Sequence, residues 1–117
     1  MKKLLIVSEP LTDKSKTYLL SLLDVMMMEH GRVRVGFAEV VDPKVKPDLV
    51  LCLGAAAVQE HIDPRARIRD ARTLTYKKDG LRYRATFLPS MVMKDSRLES
   101  YFYQDIEEVF NELSGTV

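Results

Sequence analysis

The chain has 117 residues, enough for one domain and one core. Hydrophobic residues make up 46% and charged residues 30%, an ordinary globular composition rather than a disordered one. Lysines and arginines (18) nearly balance aspartates and glutamates (17), so the net charge of +1 selects no partner. One cysteine excludes an internal disulfide, and one cysteine with two histidines is too few for a Cys/His structural zinc site. No apolar run approaches the roughly eighteen residues of a membrane span. The N-terminal apolar stretch, Leu4 to Val7, is too short for a secretory signal. A reducing, cytoplasmic setting is the expectation.

Residues 3–8 form a short aliphatic run ended by Glu9-Pro10, the pattern of a buried strand. Thr12 or Asp13 offers an N-cap for a helix over residues 13–30, and Gly31 suits its C-cap. The apolar residues of this helix cover more than one stripe. Such a helix is either covered on two sides or faces a second subunit. Residues 32–41 alternate at first, through Val33, Val35 and Phe37, as in a second strand. A loop over residues 42–47 carries two prolines. Residues 48–53 are apolar after Asp48, as in the centre of a parallel sheet. Residues 55–61 read as a short helix, and residues 65–71 as a basic, irregular stretch. Asp79-Gly80 between residues 73–78 and 81–87 is a favoured hairpin turn. Leu88-Pro89-Ser90 ends the second arm. Ser96 then caps a helix to about Leu113, with Leu98, Phe102, Ile106, Val109 and Leu113 on one face. This order predicts a three-layer α/β/α domain around a short, mostly parallel sheet with an added hairpin.

Charge is distributed unevenly. Arg65, Arg67, Arg69, Arg72, Lys77, Lys78, Arg82 and Arg84 lie within twenty residues, opposed only by Asp70 and Asp79. Six acids and one base, Arg97, follow between Asp95 and Glu112. The hairpin register places Lys77 opposite Arg82 and Thr75 opposite Arg84. Thr73, Thr75, Lys77, Arg82, Arg84 and Thr86 then share one face, and cations beside hydroxyls suit phosphate oxygens. The same face could equally be solvated, or be paired with the acidic last helix.

Chemistry-bearing residues are few. Ser8 and Ser90 stand at strand ends, yet neither His30 nor His61 has the spacing of a triad partner. Cys52 sits within an apolar strand and reads as core. Gly54 alone makes no dinucleotide fingerprint, and no cofactor is implied. Glu9 lies where α/β sites form, as a weak catalytic candidate or an exposed loop acid.

Three segments together resemble the uracil-DNA glycosylase superfamily, in particular its iron–sulfur and phage-type branches. They are Leu4-Leu5-Ile6-Val7-Ser8-Glu9-Pro10, then residues 47–57 with Leu53-Gly54-Ala55, then Thr86-Phe87-Leu88-Pro89-Ser90 with Gln104-Asp105-Ile106 downstream. The resemblance implies a glycosylase-like core and a Pro-Ser loop, at Ser90, that pinches the nucleic-acid backbone. It does not extend to the catalytic equipment. Leu88 stands where the family has the histidine that stabilises the departing base. No asparagine ends the second strand, since Asn111 is the only one in the chain. The loop carrying the water-activating acid is shortened to Leu11-Thr12-Asp13, and the cluster cysteines are missing.

The leading expectation is therefore an inactive glycosylase-like module that associates with single- or double-stranded DNA, as an accessory to replication or repair. Arg65, Arg67, Arg69, Arg72, Lys77, Arg82, Arg84 and Ser90 would contact the backbone. One alternative is a protein-interaction or homodimer module using Tyr18, Leu19, Leu22, Met26 and Met27. Another is a small active glycosylase using Glu9 and Ser90. No membrane or metal partner is expected.

Overall fold

A computed structural model describes residues 1–42 and 44–115. The elements, in chain order, are β1 (Lys3–Val7), α1 (Asp13–His30), β2 (Arg34–Ala38), β3 (Leu49–Leu53), α2 (Gly54–His61), α3 (Ile68–Ala71), β4 (Tyr76–Lys78), β5 (Leu81–Thr86), α4 (Pro89–Lys94) and α5 (Glu99–Ser114). A 3-10 turn, Ser96–Leu98, joins α4 to α5. The sheet order is β2-β1-β3-β5-β4. Its first four strands are parallel, and β4 pairs antiparallel to β5 at the edge. The mixed α/β class, with a mostly parallel sheet and a hairpin, is as the residue pattern requires.

Two hydrophobic layers sandwich the sheet. Leu4, Ile6, Leu49, Leu51 and Leu53 point toward α1, α4 and α5. Val7, Val50, Cys52, Tyr83 and Ala85 point toward α2 and α3. The central strand β3 is buried at all five positions because it has neighbours on both edges and helices on both faces. Each fully buried Leu, Ile or Phe here contributes about 1.5–3 kcal/mol of apolar transfer. No helix among the described residues is long and apolar enough to cross a membrane.

Local chemistry explains the boundaries. The Thr12 hydroxyl accepts from the Ser15 amide and caps α1, and the Gly31 amide closes it on the Met27 carbonyl at φ +103°. In the hairpin, Asp79 and Gly80 both take positive φ, the geometry of the favoured two-residue turn. Tyr76 pairs with Tyr83, Lys77 with Arg82 and Lys78 with Leu81, in the register set by that turn.

Several local expectations are corrected. The stretch after α2 is not wholly irregular, because Ile68 and Ala71 dock against the sheet and wind one helical turn, α3. Ser96 is not the cap of the last helix. The Asp95 carboxylate accepts from the Arg97 amide and starts the 3-10 turn that leads into α5. Leu88-Pro89-Ser90 does more than end the hairpin's second arm, because Pro89 occupies the first turn of α4, where its missing N–H costs nothing. In the loop over residues 42–47, Pro43 lies outside the described residues.

The apolar excess of α1 is mostly core. Leu19 and Met26 are fully buried, and Tyr18, Leu22 and Met27 pack at the margin of the same cluster. The face expected to meet a partner is thus turned largely onto this chain's own sheet and α5. Leu20, Val25 and Met28 are the apolar α1 residues left exposed.

Candidate nucleic-acid interface

The eight clustered bases divide into two sets. Arg72 and Arg84 turn inward, against the expectation that both face phosphate. Arg72 follows α3, and its Nε and Nη2 donate to Oδ2 and Oδ1 of Asp105, each at 2.9 Å. The Thr86 hydroxyl donates to Asp105 Oδ2 at 2.7 Å. Asp105 is 3% exposed, so its carboxylate draws on these donors in place of water. Burial raises the Asp105 pKa above its ordinary value, opposed by the Arg72 and Thr86 hydrogen bonds and the Arg72 charge. The Arg72 guanidinium also lies 4.9 Å from the Tyr101 ring centroid and 5.7 Å from that of Phe87.

Arg84 makes the second inward pair. Its guanidinium donates to Glu108, and at 3.0 Å to the Thr75 hydroxyl. Thr75 in turn donates to Glu112 at 2.7 Å, and Glu112 lies 3.8 Å from Arg84. The acidic face of α5 therefore neutralises the inner half of the basic hairpin. Charge balance within a polar network decides this. A desolvated guanidinium without a carboxylate would cost several kcal/mol.

Arg65, Arg67, Arg69, Lys77, Lys78 and Arg82 form the second set, and all six are exposed. Among the described residues, the Lys and Arg side chains that make ion pairs are Arg72, Arg84 and Arg97. The outward set thus makes no ion pair among the described residues. Lys77 and Arg82 sit directly across the two arms, where like charges repel and an anion between them would relieve the strain.

The carboxyl edge of the sheet, the usual ligand site of such folds, is partly closed. Ser8–Pro10, the start of α2 and Leu88–Ser90 follow the adjacent strands β1, β3 and β5. Over Gly54 the space is filled by Leu88. A Cβ at Gly54 would lie 2.6 Å from Leu88 Cγ, and its φ of +87° already disfavours other residues. Ser90 lies in the first turn of α4, half-buried. Glu9 is exposed and lines a shallow cleft of about 220 Å³ with Ser8, Lys16, Phe37 and Glu39, and Ser90 is not part of that lining. The Ser8 hydroxyl donates to the Glu9 carbonyl at 2.8 Å, so it behaves as a turn group. Cys52 is fully buried, and desolvation pushes its thiol up to about 12.

A larger cleft, about 490 Å³, lies near the amino ends of β3 and β5, between the end of α2 and the hairpin turn. Lys46, His61, Lys78 and Tyr83 line it, beside Glu60 and Asp79. Sequence reading missed it because its walls come from three separate segments, the loop before β3, the end of α2 and the hairpin, joined only by the sheet. The Arg72–Asp105–Thr86 network was missed likewise, although the acidic run facing a basic run was its visible signal. Comparison with protein-family models and with curated proteins finds no match.

Proposed function

We propose that this chain is a glycosylase-like α/β module without glycosylase activity, which associates with nucleic acid through the phosphate backbone. In this reading it serves as an accessory of replication or repair in a cytoplasmic setting. The observation that carries the proposal is the sorting of the basic cluster. Arg72 and Arg84 are consumed by the acids of α5, while Arg65, Arg67, Arg69, Lys77, Lys78 and Arg82 stay exposed and unpaired among the described residues. Cations held on a hairpin and its adjoining turn give a short positive strip with little means of reading bases. The apolar contact of Leu88 over Gly54 supports the absence of catalysis, since base excision needs a deep, polar pocket at such an edge.

The test is fluorescence anisotropy with labelled single-stranded DNA over a salt series. Binding at low salt should weaken as salt rises, and Lys77→Glu with Arg82→Glu should lower both affinity and salt slope. Each lost phosphate contact reduces the slope by about 0.7 on a single strand. Arg97→Glu, at a base already paired with Asp95, should change little. Absence of binding at low salt, or equal binding by the hairpin variants, overturns the proposal. Release of uracil from a uracil-containing single strand would overturn the inactive reading.

A further inference from the structure

We propose that the end of α1 and the middle of α5 form a divalent-metal site in which His30 Nε2 and the carboxylates of Glu29 and Glu107 bind a zinc-class ion. The three ligand atoms lie within 4.8 Å of one another. His30 Nε2 is 3.8 Å from Glu29 Oε2 and 3.7 Å from Glu107 Oε2. These separations are too long for hydrogen bonds. Nε2 is nevertheless buried from solvent and has no hydrogen-bond partner. A ring nitrogen without a hydrogen-bond partner, flanked by two carboxylates at ion-pair distance, turns three ligand atoms toward one point that a bound ion would occupy.

The surroundings favour a cation over a neutral ligand. Among the described residues, His30 is the ion-pair partner of both Glu29 and Glu107, and no lysine or arginine reaches either carboxylate. The C-terminal end of α1 adds its own partial negative charge. The imidazole is steadied by the Phe110 ring, with centroids 6.4 Å apart.

Coordination geometry is within reach. Zn–N and Zn–O bonds of about 2.0–2.2 Å in a tetrahedron put ligand atoms about 3.4 Å apart. The present gaps close by adjusting the two glutamates, whose side chains are 46% and 40% exposed. One imidazole with two carboxylates selects zinc, cobalt or nickel over magnesium, which prefers an all-oxygen shell. Three protein ligands leave one position for water. An ion held there would tie α1 to α5 across the core. Counting cysteines and histidines could not show this site, because Glu107 reaches it only through helix packing.

The test is thermal unfolding and isothermal titration of the full chain after chelator treatment, with Zn²⁺, Co²⁺ or Mg²⁺ added. Expected results are one equivalent of Zn²⁺ bound, a midpoint that rises with Zn²⁺ concentration, a visible Co²⁺ ligand-field band, and little response to Mg²⁺. His30→Gln and Glu107→Gln should each weaken Zn²⁺ binding by more than the roughly 10–100-fold cost of removing a group that merely supports a ligand. His61→Gln, which removes the other histidine near a glutamate, should leave binding intact. Absence of Zn²⁺ binding overturns the proposal. So does binding that survives Glu107→Gln, an exposed-side substitution that stays informative even if His30→Gln fails to fold.

Discussion

The Arg72 guanidinium and the Asp105 carboxylate, 33 residues apart, meet through two parallel hydrogen bonds of 2.9 Å. They join the short helix beneath β5 to the long C-terminal helix, and Thr86 on the strand between them donates to the same carboxylate. Asp105→Ala would strand a guanidinium that is 12% exposed and a buried hydroxyl. The expected cost is about 3–5 kcal/mol, read by urea unfolding. A loss below about 1 kcal/mol would mean the pair behaves like an exposed ion pair.

The same carboxylate should give stability a pH signature. Burial raises its folded-state pKa above the ordinary 3.8. The folded protein then holds the proton more tightly than the unfolded chain. This contribution is complete below the unfolded value and is lost as pH rises through the folded value. Unfolding free energies of wild type and Asp105→Asn, compared across the acid range, should show the wild type losing ground to the variant as pH rises above 3.8. The opposite slope would mean that Arg72 outweighs desolvation.

Cys52 should be inert while the fold is intact. Its thiol is fully buried and pushed up to about 12, so almost no thiolate exists at neutral pH. Alkylation by iodoacetamide should be negligible in buffer and complete in denaturant, as mass spectrometry would show. Rapid labelling of the folded chain would mean β3 opens locally.

Gly54→Ala should destabilise the chain on two grounds. The added methyl would lie 2.6 Å from Leu88 Cγ, and φ is +87°. Overpacking of this kind costs about 1–3 kcal/mol. Leu88→Ala in the same chain should recover the steric part and leave the backbone strain. Equal instability of the single and double variants, measured by thermal unfolding, would show that the clash is not the cause.

Much of the scaffold could be read directly from residue order. The aliphatic run of residues 49–53 announces a central strand, and Asp79-Gly80 fixes the hairpin register to the residue. What escaped reading depends on distance in sequence. Leu88-Pro89 looks like the end of a strand, yet Pro89 opens α4 because Val92 finds room in the core beside α1 and α5. The basic cluster was visible as composition, but which arginines turn inward depends on Asp105, Glu108 and Glu112. Those residues become neighbours only once α5 packs on the sheet. His30 and Glu107 are hidden in the same way.

The contact between Leu88 and Gly54 also constrains mutational order. While the leucine remains, a side chain at residue 54 would meet it at 2.6 Å, so replacements there are disfavoured until position 88 shrinks, and the φ of +87° still strains them afterwards. Any laboratory lineage selected to reopen this edge of the sheet should acquire its change at position 88 before any change at position 54, a sequence of events that deep mutational scanning in both backgrounds would reveal as strong epistasis.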